Sequence, residues 1–130
     1  MKNVLFIACF LIISCKNNTK MQLRSIKNNL KNSTWEILGS DSLSNQSKKN
    51  SCVFTQFSYY ENSLVCYQQF NNSKSDYVGI YFTNANGRMS LCGTQTSNCN
   101  EVVIKKDTIK LFFKDYDGKA KIIKYTKIKR

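Results

Sequence analysis

Thr108-Ile109-Lys110-Leu111-Phe112-Phe113-Lys114-Asp115-Tyr116-Asp117-Gly118-Lys119-Ala120-Lys121-Ile122-Ile123-Lys124-Tyr125 carries the clearest strand–turn–strand pattern in the chain. Ile109, Leu111 and Phe113 alternate with Thr108, Lys110 and Lys114, the period of two that gives a strand one buried and one wet face. Phe112 breaks the alternation on the wet side. Asp117-Gly118 tolerates positive φ and is the strongest short hairpin signal in the chain, so the segment after it returns antiparallel to the first.

Working backwards, the same grammar repeats. Short runs rich in β-branched and aromatic residues are predicted as strands near 34–39, 51–60, 63–70, 76–83, 88–92, 101–105, 108–114 and 119–128. Glu61-Asn62, Asn84-Ala85-Asn86-Gly87 and Lys106-Asp107 supply the turns, and there is no proline anywhere to interrupt a strand. Consecutive strands on short turns make an antiparallel meander. A meander of about eight strands hides its edges by closing or folding over, so an all-β small barrel or sandwich is expected. Thr19 and Gln22 stand at capping-box spacing, and Leu23, Ile26 and Leu30 recur at helical intervals, which predicts a short helix over 20–31 ahead of the first strand.

The N-terminus has a different character. Lys2 precedes an apolar run from Val4 to Ile13, the length of a signal-peptide core and too short for a membrane span of about 18 or more residues. The run ends in Ile12-Ile13-Ser14-Cys15, which resembles the lipobox of a bacterial lipoprotein precursor. That resemblance implies cleavage before Cys15, a diacylglycerol thioether on its sulfur and acylation of its freed amine. Several acyl chains give stable anchoring where a single chain is marginal. The expected organisation is a signal peptide over 1–14, a lipidated tether over 15–20 and one β-domain over 21–130. Lys16 stands where the family often places an aspartate for inner-membrane retention. Outer-membrane residence facing the periplasm is therefore expected.

Cysteine usage follows from that compartment. Cys9 leaves with the signal and Cys15 carries lipid, so Cys52, Cys66, Cys92 and Cys99 remain, an even number in an oxidising environment, and two disulfides are expected. Their pairing is open. A two-residue turn at Glu61-Asn62 sets Cys66 opposite Phe57 and Cys52 opposite Asn71, which speaks against Cys52–Cys66, whereas Cys92 and Cys99 flank a polar loop that readily joins them. Crossed pairings of Cys52 and Cys66 with Cys92 and Cys99 are the alternatives.

The chain carries 20 Lys and Arg against 8 Asp and Glu, a net charge of +12, and ten of those cations lie within residues 105–130. In an exported chain nucleic acid is not the expected partner, and anionic head groups or an acidic partner take its place. Lys110, Lys114, Lys119, Lys121, Lys124 and Lys127 are the candidate basic face. Strict alternation sets Lys124 opposite Lys119, Lys121 and Lys127, so uniting them requires a bulge near Ile122-Ile123.

The chain has no histidine. Imidazole metal sites and Ser-His or Cys-His nucleophile pairs are thereby excluded, and no catalytic residue, metal site or cofactor is predicted. Asp115-x-Asp117-Gly118 opens like a calcium loop but lacks the distal glutamate.

The order of elements resembles small lipocalin-like lipoproteins of Gram-negative envelopes. A short helix leads into Ser33-Thr34-Trp35, where those proteins place Gly-x-Trp at the first strand, with Ser33 at the glycine position. The resemblance implies a non-enzymatic binding domain for a small apolar ligand or an envelope protein. An inhibitor or immunity protein against a toxin or lysozyme is the alternative.

Overall fold

The computed structural model describes residues 18–38, 50–71, 75–96 and 98–129. Helix α1 covers residues 18–30. Eight strands follow: β1 (Thr34–Leu38), β2 (Asn50–Tyr60), β3 (Ser63–Phe70), β4 (Tyr77–Ala85), β5 (Arg88–Gly93), β6 (Cys99–Ile104), β7 (Thr108–Lys114) and β8 (Ala120–Lys127). Each pairs antiparallel with its neighbours in chain order and β1 pairs with β8, so the meander closes into a barrel rather than a sandwich. No helix among the described residues is long and apolar enough to cross a membrane.

The turns follow from their residues. Asn86 and Gly87 both take positive φ (55° and 80°) between the paired ends Ala85 and Arg88, and the Gly87 amide donates to Asn84 Oδ1. Glu61 also has positive φ in the two-residue turn joining Tyr60 to Ser63. After β7 the Asp115 carboxylate accepts from the amides of Asp117 and Lys119, and Gly118 takes φ 76°. The Asp-x-Asp-Gly pattern is therefore an Asp-anchored hairpin turn. Among the described residues no cluster of three metal-ligating side chains exists.

Strand β2 carries an irregularity that its sequence conceals. Tyr60 through Ser58 pair with Ser63 through Val65, but from Thr55 inward the register shifts by one, so Cys52 faces Phe70. Gln56 sits in the bulge with φ 56°. A bulge inserts one residue and changes which parity faces inward. Cys52 and Phe54 are thereby buried on one side of it, while Phe57 packs against the core on the other. The candidate pairing of Cys52 with Asn71 is corrected by this one residue.

Helix α1 closes one end of the barrel. Leu23, Ile26 and Leu30 form its inner stripe and join Trp35, Phe54, Leu64, Phe82, Val102 and Ile109 in a single core. Gln22 accepts from Asn84 Nδ2 at the β4–β5 turn, and Asn29 donates to the Lys105 carbonyl at the β6–β7 turn. Thr19 and Lys20 lie within the helix rather than in its cap or in a tether.

The cysteine expectation is corrected for one pair. Cys92 and Cys99 are directly opposite on β5 and β6 and are joined by a disulfide, Cα–Cα 4.2 Å. Cys52 and Cys66 are free and buried. Because Cys52 faces Phe70, Cys66 lies four residues further along β3, about 13 Å away at strand rise, well beyond bonding reach. Titration of denatured, unreduced protein with a thiol reagent should count these two as free and the other pair as oxidised, and a count of zero would refute the structural assignment.

Candidate functional site

The barrel wall parts on the side away from α1. Pairing of β6 with β7 covers only Val102, Val103 and Ile104 against Leu111, Lys110 and Ile109. Continuing that register would set Cys99, Asn100 and Glu101 against Lys114, Phe113 and Phe112, but those pairs do not form. Each half-strand is held by its other neighbour instead. Cys99 is bonded to Cys92, and Glu101 reaches Arg88 at 3.6 Å, both on β5. On the other side β7 stays paired with β8 as far as Lys114 and Ala120.

The parted strands leave an open cleft of about 1110 Å³, running from Asn98 and the first residues of β6 (Cys99 through Glu101) and Leu111 through Lys114 on β7 to Ala120 through Ile123 on β8. Alternation sets Leu111, Phe113, Ile123 and Lys121 on the inward side of β7 and β8, with Asn100 facing them from β6. Lys121 is opposite Phe113 in the ladder and lies 3.6 Å from Asp115. The cleft thus has an apolar wall on β7 and β8, faced by Asn98, Asn100 and Glu101, with Lys114 and the Lys121–Asp115 pair at its rim. Its volume is of the order of the 300–1,000 Å³ that small-molecule sites occupy.

Deeper in, the barrel is filled. Gln68 is 5% exposed and directs its amide at Cys52 Sγ (3.5 Å) and the Tyr125 hydroxyl (3.4 Å). Burial pushes the Cys52 thiol up to about 11, the Gln68 hydrogen bond offsetting part of the rise, and burial alone pushes Cys66 up to about 12. Tyr125 is raised as well, by burial and by the neighbouring Cys52, again partly offset by Gln68. These groups stay protonated and neutral at physiological pH. A buried thiol held in that form is inert as a nucleophile.

The six lysines of the candidate basic face are divided between the two sides of the wall. The β7–β8 register runs without a bulge from Thr108–Thr126 to Lys114–Ala120. Lys110 is directly opposite Lys124 on the outer face, Lys114 lies on the same face and Lys119 is in the exposed turn. Lys121 and Lys127 turn inward. Lys127 Nζ sits 5.2 Å over the Trp35 ring and donates to Asn29 Oδ1 at 2.7 Å, tying β8 to α1. Cys15 lies outside the described residues.

The parted seam was hidden in the sequence, because composition and turn residues mark where β6 and β7 run and not how far the two stay paired. No protein family, no curated protein and no solved structure matches this chain.

Proposed function

We propose that this chain is a lipid-anchored envelope protein, attached through Cys15, whose barrel is a non-enzymatic binding domain for a small apolar ligand taken up at the β6–β7 seam. The observation that carries the reading is the cleft. Apolar side chains of β7 and β8 form one wall of it, with polar groups of β6 opposite, at a size fit for one ligand and in a barrel whose opposite end is closed by a helix. An eight-stranded barrel has an interior just wide enough to hold its own side chains or one small ligand. Here the packed half and the parted half divide those roles.

A neutral apolar fluorophore such as N-phenyl-1-naphthylamine should bind at a single site. Phe113→Ala should weaken it about tenfold or more, since burial of a phenyl group is worth about 1.5–3 kcal/mol. Absence of saturable binding, or binding indifferent to Phe113→Ala, would count against the cleft. The intact mass of the mature chain tests the anchor: acylation at Cys15 supports it, and an unmodified N-terminus elsewhere removes it.

One observation favours the second reading, an inhibitor or immunity protein. The parted half-strands of β6 and β7 present backbone that an extended segment of another protein can pair with. A protein partner competing with the fluorophore would bring both readings to the same seam.

A further inference from the structure

We propose that the helix-closed end of the barrel is a docking surface for an anionic lipid bilayer, with Lys20, Arg24 and Lys31 as its principal contacts. The inference rests on the anchor reading for its geometry. Residue 18 begins the described helix only three residues beyond Cys15, so an extended chain spans roughly 10 Å between the acylated residue and the barrel. The end of the barrel that carries α1 is therefore the end that faces the membrane, and the ligand cleft is at the other.

The charge at that end matches such a surface. Lys20, Arg24, Lys27 and Lys31 recur at intervals of four, three and four along α1 and its first following turn, which sets them in one stripe on the flank of the helix. Leu23, Ile26 and Leu30 point into the core, so the stripe stands clear of it. Lys27 leans over the Tyr59 ring at 5.4 Å. Lys20, Arg24 and Lys31 are exposed and make no ion pair among the described residues. Lys105 and Lys106, exposed in the β6–β7 turn beside Asn29, extend the positive field across the same end. Glu61 of the β2–β3 turn opposes it, while Asp107 is engaged by Lys129 at 3.7 Å. Met21, 66% exposed between the cationic flank and the turn, adds an apolar side chain able to enter the interface. Three residues reach at most about 10 Å, and with a Debye length of about 8 Å at physiological salt these cations lie where surface attraction is felt rather than screened. At about 1 kcal/mol for each cation near an anionic surface, three of them shift the docked equilibrium on the order of a hundredfold.

The test uses the full chain reconstituted into vesicles of phosphatidylcholine alone, or with about 30% phosphatidylglycerol to supply the anionic surface, each carrying a trace of head-group nitroxide lipid. In a Trp35→Phe background, Met21→Trp reports the helix end and Tyr116→Trp the β7–β8 turn at the far end. The first tryptophan should be quenched strongly on anionic vesicles and weakly on neutral ones, and the second should be quenched on neither. Raising salt to about 0.5 M, where screening is severe, or combining Lys20→Gln, Arg24→Gln and Lys31→Gln, should return the anionic signal to the neutral level. Equal quenching of Met21→Trp on both vesicles, or stronger quenching of Tyr116→Trp, would overturn the proposal. The mass of the N-terminus in the same sample reads the anchor separately, since docking is judged by its dependence on lipid charge.

Discussion

Trp35→Ala should lower the free energy of unfolding by about 3–5 kcal/mol, a large share of the roughly 5–15 kcal/mol that holds a domain together. The indole has no solvent exposure, and it joins three elements. In the ladders Trp35 pairs with Cys52 of β2 and Lys127 of β8, and its ring lies in the core that α1 covers. Lys127 is over the ring and holds Asn29, so truncation loosens the helix as well as emptying the space. The indole Nε1 is buried with no hydrogen-bond partner among the described residues. Trp35→Phe is therefore expected to be mild: it leaves a void of roughly 40 Å³, worth about 1 kcal/mol, and removes a donor whose unpaired burial is itself unfavourable. Urea titration followed by far-UV circular dichroism distinguishes the two substitutions, because the tryptophan signal itself is lost. Equal losses for both would show that the polar N–H of the ring, and not its volume, is what this end requires.

The strands were legible because each carries its own signal. Alternation in Thr108–Lys114 and turn residues at Glu61-Asn62, Asn86-Gly87 and Asp117-Gly118 act over a few residues, and the structure realises them in place. Closure into a barrel is different in kind. It depends on Trp35 finding Lys127 across 92 positions, which no local pattern encodes. The bulge at Gln56 was illegible for a related reason. Cys52 and Phe54 on one parity and Phe57 on the other read as an ordinary apolar run, and only the curvature of a closed wall decides where the extra residue goes. That single residue also bears on the cysteines, since it sets the register in which Cys52 meets Phe70 rather than anything near Cys66.

Charge was legible in amount and misleading in place. Lysines on β8 alternate with apolar residues, so period two predicts that Lys124 parts company with Lys121 and Lys127, and the structure agrees. Which set turns inward depends on partners remote in sequence. Lys127 is held under α1 by Asn29, and Lys121 by Asp115 at the far rim. The concentration of cations towards the C-terminus thus overstated a C-terminal face. The stripe on α1, only four residues strong, was hidden inside a helix read for its apolar side.

Between about pH 9 and pH 12 the protein should lose several kcal/mol of stability through the buried thiols of Cys52 and Cys66. Both have an ordinary value of 9.0, and burial raises Cys52 to about 11 and Cys66 to about 12. Below pH 9 each thiol is protonated in the folded and unfolded chain alike, and no difference arises. Above it the unfolded chain releases protons that the native barrel retains, so the native state becomes the worse acid and stability falls as pH rises. The loss is complete only once the folded values themselves are passed. At about 1.4 kcal/mol for each tenfold weakening of the acid, Cys66 accounts for roughly 4 kcal/mol and Cys52 for somewhat less. Tyr125 acts in the same direction, because its hydroxyl shares the Gln68 amide with Cys52 and is likewise raised. Cys66→Ala isolates the thiol contribution, since it deletes one buried thiol and leaves every other ionisable group in place. The substitution should lower stability at about pH 7 through the small void it leaves, yet show a smaller fall between about pH 7 and pH 11 than the parent chain. Urea midpoints at the two pH values supply that difference. An identical fall in both proteins would mean that Cys66 ionises as readily in the barrel as in the unfolded chain, and that water reaches the interior beside Leu64 and Phe82.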